Sequence, residues 1–297
     1  MRQAESVKEL LTAAHPGLQV EIVPIVTAGD RSQEREGSLL TGKGVFVQEI
    51  EEALLSGRID AAVHSAKDVP VDLPGTCALV AFPAREDARD VLAGTKGRWL
   101  SELPPNAVVA TSSPRRAVQL KVLRSDVTVV PVRGNVDTRL RKAAEGEYQA
   151  AVLAAAGLLR LGLFDEISQW FEPEEMLPAP GQGALAVEAR AADERVRALL
   201  QACDDAATRT AVLAERAFLT ALGGGCDAPV GAFGAVDGDR LDLSGLVAAP
   251  DSGRLVRDSL SGAAADPEGL ARALAERVLA GGGQECLDEV ARGRVGS

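Results

Sequence analysis

Residues 107–116 read AVVATSSPRR, and this stretch decides the fold. Its first four residues are apolar and predict a short buried strand. The pair Ser113-Pro114 then opens a helix, with serine as the N-cap and proline in the first turn. A strand that runs directly into a helix is typical of α/β proteins with largely parallel sheets.

The same alternation continues on both sides of this stretch. Apolar runs predict further strands, and amphipathic periodicity predicts helices between them. The strands are expected at 19–26, 59–63, 127–132 and 149–155, and the helices at 4–15, 45–55 and 136–144. The expected fold class is therefore α/β, with mixed, mainly parallel sheets.

From about residue 206 the pattern changes. A long helix over 208–222 precedes the loop GGGCDAP at 223–229, and alternating strands then flank Asp237-Gly238, which is a hairpin signal. A helix is predicted over 267–280. This part reads as a small α+β domain.

The chain has 297 residues, which exceeds the usual size of a single hydrophobic core. The segment LPAPGQG at 177–183 interrupts the second α/β run and reads as a hinge through which the chain returns to the first domain. We expect three domains, formed by 1–83 with 184–201, by 89–177 and by 206–297.

Composition restricts the class of protein. Hydrophobic residues make up 46% and charged residues 25%, as in ordinary globular proteins. No apolar run approaches the ~20 residues that a membrane span needs, and no signal peptide is recognised, so a cytoplasmic protein is expected. The formal charge of −11 argues against a nucleic-acid partner.

The four cysteines are widely scattered, and there are only two histidines, so neither a metal site nor a disulfide framework is expected. Cys77, Cys203 and Cys286 fit buried hydrophobic positions. Cys226 follows three glycines and precedes Pro229, which favours an irregular, accessible loop. Its thiol is either a nucleophile or attachment point, or one more buried cysteine.

Polar segments fall where predicted strands end, and in α/β sheets ligands bind beyond the carboxyl ends of the strands. Ser112 and Ser113 at a helix start offer an anion cradle, and the arginines nearby offer planar forks for carboxylates. Helix capping and solvated arginines explain the same residues equally well. The segments are His64–Asp68, Thr111–Arg116, Arg133–Asn135 and the stretch from Ala156 to Arg160.

Two residues of the first of these segments have alternative readings. Lys67-Asp68 is either a reactive carboxylate beside a cation or an exposed ion pair. His64, which ends an apolar strand, reads as a core residue rather than a catalyst.

Eight segments, in order, resemble those of porphobilinogen deaminases, and they extend through nearly the whole chain. They are GKGVFVQEIEEALL, DAAVHSAKDVP, REDARDVL, TSSPRR, VRGNVDTRL, AAAGLLRLG, LPAPGQGALAVE and LGGGCDAPVGA. The resemblance implies two lobes shaped like those of periplasmic anion-binding proteins, with the active site between them. It also implies a third domain that carries a covalent dipyrromethane cofactor, joined as a thioether to the cysteine that matches Cys226.

The resemblance further implies a monomeric transferase that joins four porphobilinogen molecules head to tail. The reaction releases ammonia and gives the linear tetrapyrrole hydroxymethylbilane, in porphyrin and heme biosynthesis. The matching catalytic residue is Asp68, whose carboxylate would hold the pyrrole N–H and stabilise positive charge as ammonia leaves. The residues that match cofactor- and substrate-binding positions are Lys43, Ser65, Lys67, Thr111, Ser112, Ser113, Arg115, Arg116, Arg133, Arg139 and Arg160.

The sequence departs from the family pattern at its start. Members normally begin with a strand and a TRxSxLA-like loop before the helix that starts here at Gln3. We expect a start codon assigned too far downstream. The alternative function is a truncated, catalytically idle, two-lobed anion-binding protein, which would need neither Cys226 nor Asp68.

Overall fold

The computed structural model describes residues 1–25, 48–223 and 229–295. The chain separates into two compact units, the first formed by Met1–Arg85 with Ala184–Arg209 and the second by Glu86–Gly183 with Thr210–Ser297. Within the described residues, no helix is both long enough and apolar enough to cross a membrane.

Helices and strands alternate through most of the chain. The helices are α1 (Arg2–Ala14), α2 (Gln48–Leu55), α3 (Pro114–Leu123), α4 (Val136–Ala144), α5 (Ala155–Leu161), α6 (Glu194–Leu200), α7 (Ala206–Ala221), α8 (Pro267–Val278) and α9 (Gln284–Val295). The strands are β1 (Ala61–Ser65), β2 (Cys77–Ala81), β3 (Asp90–Ala93), β4 (Val108–Ala110), β5 (Thr128–Val130), β6 (Ala150–Ala154), β7 (Ile167–Phe171), β8 (Leu185–Arg190), β9 (Val230–Asp237), β10 (Arg240–Ala249) and β11 (Arg254–Ala263).

The first unit is built on a three-stranded sheet in the order β1-β8-β2, in which β8 is antiparallel to both neighbours. Helix α1 buries Val7 and Leu11 against this sheet, whereas the neighbouring Leu10 is exposed. The strand predicted from residue 19 is not formed in 19–25, and residue 26 lies outside the described part. Leu18 and Val20 still pack against the core, so burial explains the apolar pattern without a strand.

The second unit contains a five-stranded sheet in the order β5-β4-β6-β3-β7. Strand β4 is parallel to both β5 and β6, whereas β3 is antiparallel to both β6 and β7. Side chains of β3, β4 and β6 alternate between two buried clusters, one on each face of the sheet. The carboxyl ends of β5, β4 and β6 therefore lie side by side at one edge.

The remainder of the second unit is an antiparallel meander in the order β11-β10-β9, packed against α8 and α9. The predicted hairpin is present, because Asp237 pairs with Arg240 and Gly238 adopts a φ of +56°. The expectations of a mixed α/β protein and of a small α+β C-terminal part are confirmed. In the two α/β sheets, parallel pairing occurs at β4, and the other described pairs are antiparallel because β3 and β8 run opposite to their neighbours.

Candidate functional site

Three of the predicted site segments meet at one edge of the five-stranded sheet. Thr111–Ser113 follows β4, residues 131–135 follow β5, and α5 follows β6 directly. Because these strands are adjacent and parallel, the segments that follow them converge at the position where α/β proteins bind ligands.

Hydrogen bonds fix the turn after β4. The Thr111 N–H donates to Val130 O at 2.9 Å, and Thr111 Oγ1 accepts from the Ser113 N–H at 3.1 Å. Ser113 is the N-cap of α3, where its Oγ accepts from the Arg116 N–H at 3.4 Å. The predicted helix start is confirmed, and the turn presents the exposed Ser112 at the sheet edge.

Three arginines at this edge form no ion pair with a carboxylate in the part of the chain that is described. Arg133 is exposed. The half-buried Arg139 donates from Nε to Gly134 O at 2.9 Å, and the half-buried Arg160 donates from Nη2 to Gly183 O at 2.6 Å. The guanidinium groups of Arg139 and Arg160 favour an anionic ligand, since they have been partly removed from water and have no carboxylate partner among the described residues.

The pKa values of two of these arginines are lowered, chiefly by burial. Burial lowers the pKa of Arg139, and the nearby positive charge of Arg116 lowers it further, although Tyr148 opposes the shift. Burial also lowers the pKa of Arg160, against a smaller opposing effect of Glu86. A bound carboxylate would oppose both shifts, because an opposite charge nearby favours the charged guanidinium.

Arg115 and Arg116 differ from these arginines because they are buried and paired with the same carboxylate. Arg115 Nη1 donates to Asp90 Oδ2 at 2.8 Å and to Leu177 O at 2.5 Å. Arg116 donates from Nε to Asp90 Oδ1 at 2.9 Å and from Nη1 to Val152 O at 3.3 Å. Both guanidinium groups are thus engaged inside the second unit.

Asp90 is fully buried, and its carboxylate is charged. Burial alone would raise its pKa, but the charges and hydrogen bonds of Arg115 and Arg116 outweigh burial and lower the pKa from 3.8 to about 2. Asp90 is not among the site residues predicted from the sequence. The available signal was an acidic residue directly before the buried run Val91-Leu92-Ala93, where an ionised side chain needs a partner.

The predicted residues of the first unit follow β1. This strand ends at Ser65, whose Oγ accepts from Gln3 Nε2 at 2.9 Å, and the turn Ala66–Asp68 leaves Lys67 half-buried and Asp68 exposed. His64 is buried, with Nε2 hydrogen bonded to Glu188 Oε2 at 2.9 Å. Its prediction as a core residue is confirmed.

Two predicted residues, Lys43 and Cys226, lie outside the described residues. The other three cysteines, Cys77, Cys203 and Cys286, are free and buried, and burial raises the pKa of each thiol. They are therefore held as unreactive thiols, as predicted.

Comparisons with known proteins identify the family. The model described as "Porphobilinogen deaminase, dipyromethane cofactor binding domain" matches residues 1–198, and "Porphobilinogen deaminase, C-terminal domain" matches residues 209–280. Among solved structures, a YaeC-family lipoprotein from Enterococcus faecalis V583 is 14% identical, with a TM-score of 0.41, over 69% of this chain and 88% of its own. Family membership does not rest on that structural match.

Two known relatives match almost the whole chain. The porphobilinogen deaminase of Roseiflexus castenholzii is 52% identical, and that of Roseiflexus sp. (strain RS-1) is 53% identical, each over 285 residues. Both alignments cover 96% of this chain and 94% of the relative. The chain belongs to the porphobilinogen deaminase family.

Proposed function

We propose that this chain is a hydroxymethylbilane synthase, with Asp68 as its acid–base residue and Cys226 as its attachment point for dipyrromethane. The enzyme joins four porphobilinogen molecules head to tail with release of four ammonia molecules, and hydrolysis then releases hydroxymethylbilane for porphyrin biosynthesis. Beyond family membership, one observation carries this proposal: three motif segments converge at one sheet edge, where Arg133, Arg139 and Arg160 have no acidic partner among the described residues. Family membership does not favour an idle anion-binding protein.

The described residues fit the dipyrromethane cofactor in charge and in donor type. Each pyrrole ring carries two carboxylates, and the sheet edge offers Arg133 together with the half-buried Arg139 and Arg160. Guanidinium groups hold carboxylates bidentately and do not compete for protons at neutral pH. We assign carboxylate binding to these three arginines and to Lys43, Ser65, Lys67, Thr111, Ser112 and Ser113. The predicted ligand roles of Arg115 and Arg116 stay predictions.

When bound, the dipyrromethane would supply the free pyrrole α-carbon to which the first unit is joined, and each later unit is joined to the α-carbon of the last ring added. Asp68 performs the proton chemistry. As the C–N bond of porphobilinogen breaks and ammonia leaves with the bonding electrons, positive charge develops on the pyrrole N–H. The Asp68 carboxylate accepts a hydrogen bond from that N–H and stabilises the charge. It then relays the proton displaced from the α-carbon when the new C–C bond forms.

Exposure of Asp68 suits this role. Its turn follows β1, and the backbone there is held by the Ala66 N–H, which donates to Ala184 O at 3.0 Å. The carboxylate is therefore carried by a fixed backbone, while its oxygens remain open to a substrate. Porphobilinogen is the expected partner, and we expect neither nucleic acid nor membrane binding.

We further propose that the chain is a cytoplasmic monomer with three domains, 1–83 with 184–201, 89–177 and 206–297. The two family matches are separated at 199–208, near the start of the third domain. Sedimentation velocity tests the monomer, and limited proteolysis with mass mapping tests the domain limits.

The direct test of the function is to supply porphobilinogen to the purified chain and to measure hydroxymethylbilane and released ammonia. We expect four ammonia molecules per hydroxymethylbilane, from the stoichiometry of the reaction. Binding of porphobilinogen without ammonia release would favour the idle anion-binding protein.

A further inference from the structure

The segment 177–183, LPAPGQG, is held firmly within the second unit. Leu177 O accepts from Arg115 Nη1 and from Gln119 Nε2, the latter at 3.1 Å, and the Leu177 N–H donates to Gln119 Oε1 at 2.7 Å. The Gly181 N–H donates to the buried Glu215 at 2.6 Å. Despite its two prolines and two glycines, this segment is anchored along its length.

Asp90 anchors the end of the segment through Gln182. Gln182 Nε2 donates to Asp90 Oδ1 at 2.9 Å and to Ala88 O at 2.7 Å. Its Oε1 accepts from Arg116 Nη2 at 3.4 Å. Gln182 is only 1% exposed, so bulk water cannot readily replace these hydrogen bonds. The buried Asp90–Arg116 pair therefore helps to hold Gln182 in place, together with Ala88 O and the backbone hydrogen bond from the Gln182 N–H to Ala179 O at 2.9 Å.

Gly183, the residue after Gln182, is hydrogen bonded to Arg160 and so links Gln182 to this arginine. Gly183 O accepts from Arg160 Nη2 at 2.6 Å. The Gly183 backbone has a φ of +85°, and a Cβ there would lie 2.4 Å from Glu86 O, so the two backbones pass close to each other. Gly183 O also accepts from the Glu86 N–H at 3.3 Å. Gly183 O is the one hydrogen-bond acceptor that Arg160 has among the described residues, and loss of the Gln182 hydrogen bonds would leave this carbonyl held by the longer Glu86 contact.

We propose that Asp90 is a positioning residue for Arg160, acting through Gln182 and Gly183. Asp90 holds Gln182, Gln182 fixes the Gly183 carbonyl, and that carbonyl orients the Arg160 guanidinium for a substrate carboxylate. The inference rests on the proposed function in one respect, that Arg160 binds a carboxylate of porphobilinogen or of the growing chain.

The experiment uses Gln182→Met, which keeps the side-chain length, removes the hydrogen bonds and leaves the Asp90–arginine pairs in place. Asp90→Asn is the second variant, Arg160→Gln removes the ligand, and Gln182→Met/Arg160→Gln combines the two changes. Asp126→Asn is the matched control, because Asp126 pairs with Arg124 on the exposed surface. The readouts are kcat and KM for porphobilinogen, cofactor occupancy by intact mass, and hydrogen exchange in peptides covering 155–161 and 177–183.

Gln182→Met is expected to raise KM by about tenfold, as for the loss of one hydrogen bond to a charged group, with a smaller change in kcat. In the Arg160→Gln background it should raise KM no further, because the residue it positions is gone. Hydrogen exchange should accelerate at 155–161 and 177–183 in Gln182→Met and Asp90→Asn, and Asp126→Asn should match the parent protein in every readout.

Independent effects of Gln182→Met and Arg160→Gln on KM, multiplying in the double variant, would overturn the proposal. Unchanged KM and unchanged exchange in Gln182→Met would also overturn it. The exchange measurement needs no activity. An inactive parent chain would therefore contradict the proposed function, while the contact from Asp90 to Arg160 would still be tested.

Discussion

The Ser112 hydroxyl is hydrogen bonded to both backbone polar groups of Val132. Its Oγ donates to Val132 O at 2.7 Å and accepts from the Val132 N–H at 2.8 Å. Val132 is buried, so this side chain satisfies two groups that have little access to water, and it joins the segments after β4 and β5. The Ser112 side chain therefore holds the two loops of the proposed anion site in register, in addition to the carboxylate-binding role proposed for this residue.

The first prediction follows from that arrangement. Ser112→Ala leaves both Val132 groups without a partner, and we expect it to lower the free energy of unfolding by about 1–3 kcal/mol. Urea unfolding measures the change, with Ser101→Ala, at an exposed serine, as the control. Equal stabilities of the two variants would show that the hydroxyl is not needed to hold the loops.

The second prediction concerns Asp90 and pH. Because folding lowers its pKa from 3.8 to about 2, Asp90 stabilises the protein above about pH 4, and this contribution is lost as the pH falls toward 2. At about pH 7, Asp90→Asn should destabilise the protein by about 3–5 kcal/mol, since it leaves two buried arginines without their carboxylate.

The difference in free energy of unfolding between the parent protein and Asp90→Asn should decrease by about 1 kcal/mol between about pH 7 and pH 3. Urea unfolding of both proteins across this range provides the measurement. A difference that stays constant, or widens in acid, would contradict the lowered pKa.

The third prediction compares two glycines that both have a φ of +85°. Gly146 faces open space, so Gly146→Ala should cost only the left-handed backbone strain, about 1–2 kcal/mol. Gly183→Ala adds a Cβ at 2.4 Å from Glu86 O, so it should lower the free energy of unfolding clearly more than Gly146→Ala does. It should also raise KM, because the Gly183 carbonyl that Arg160 contacts would be displaced. The thermal midpoints and KM values of the two variants test this prediction. Equal decreases in thermal midpoint for Gly146→Ala and Gly183→Ala would show that the backbone near Gly183 shifts freely to accommodate the Cβ.

Much of the fold was predictable because its signals are local. Ser113-Pro114 marked the start of α3, Asp237-Gly238 marked the hairpin, and the apolar runs marked β4 and β6 within one or two residues. The strand predicted from residue 19 was wrong over 19–25, because an apolar alternation reports burial and does not report a strand partner. Partner choice is set by residues distant in sequence.

The sequence predicted where the candidate site lies, but it predicted the role of each arginine less well. The TSSPRR motif places Arg115 and Arg116 next to the sheet edge at which the site segments converge. Both arginines are nevertheless buried and paired with Asp90, which precedes them by 25 and 26 residues. A sequence shows that arginines are present, but not which carboxylate they contact. For the same reason the links from Asp90 to Gln182 and from Gly183 to Arg160 could not be predicted.

The fourth prediction concerns Asp68. Asp68→Asn preserves shape and removes the charge, so we expect kcat to fall by at least ~100-fold with a smaller change in KM. Asp72→Asn, at an exposed aspartate four residues further on, serves as the control and should be near normal. Near-normal turnover of Asp68→Asn, in protein shown by mass to carry the cofactor, would refute the role.

The fifth prediction concerns the site of attachment. Cys226→Ser should carry no covalent pyrrole adduct, whereas serine substitutions of Cys77, Cys203 and Cys286 should leave the adduct in place, because burial keeps those thiols protonated. Peptide mapping of each variant locates the adduct. Its presence on any of the other three cysteines would contradict the assignment.

The central claim is that this chain assembles and retains a dipyrromethane cofactor, and the intact mass of the purified protein tests it most directly. We predict the mass of the chain plus two condensed pyrrole units, retained after denaturation and absent from Cys226→Ser. A protein of unmodified mass, even after incubation with porphobilinogen, would contradict the claim.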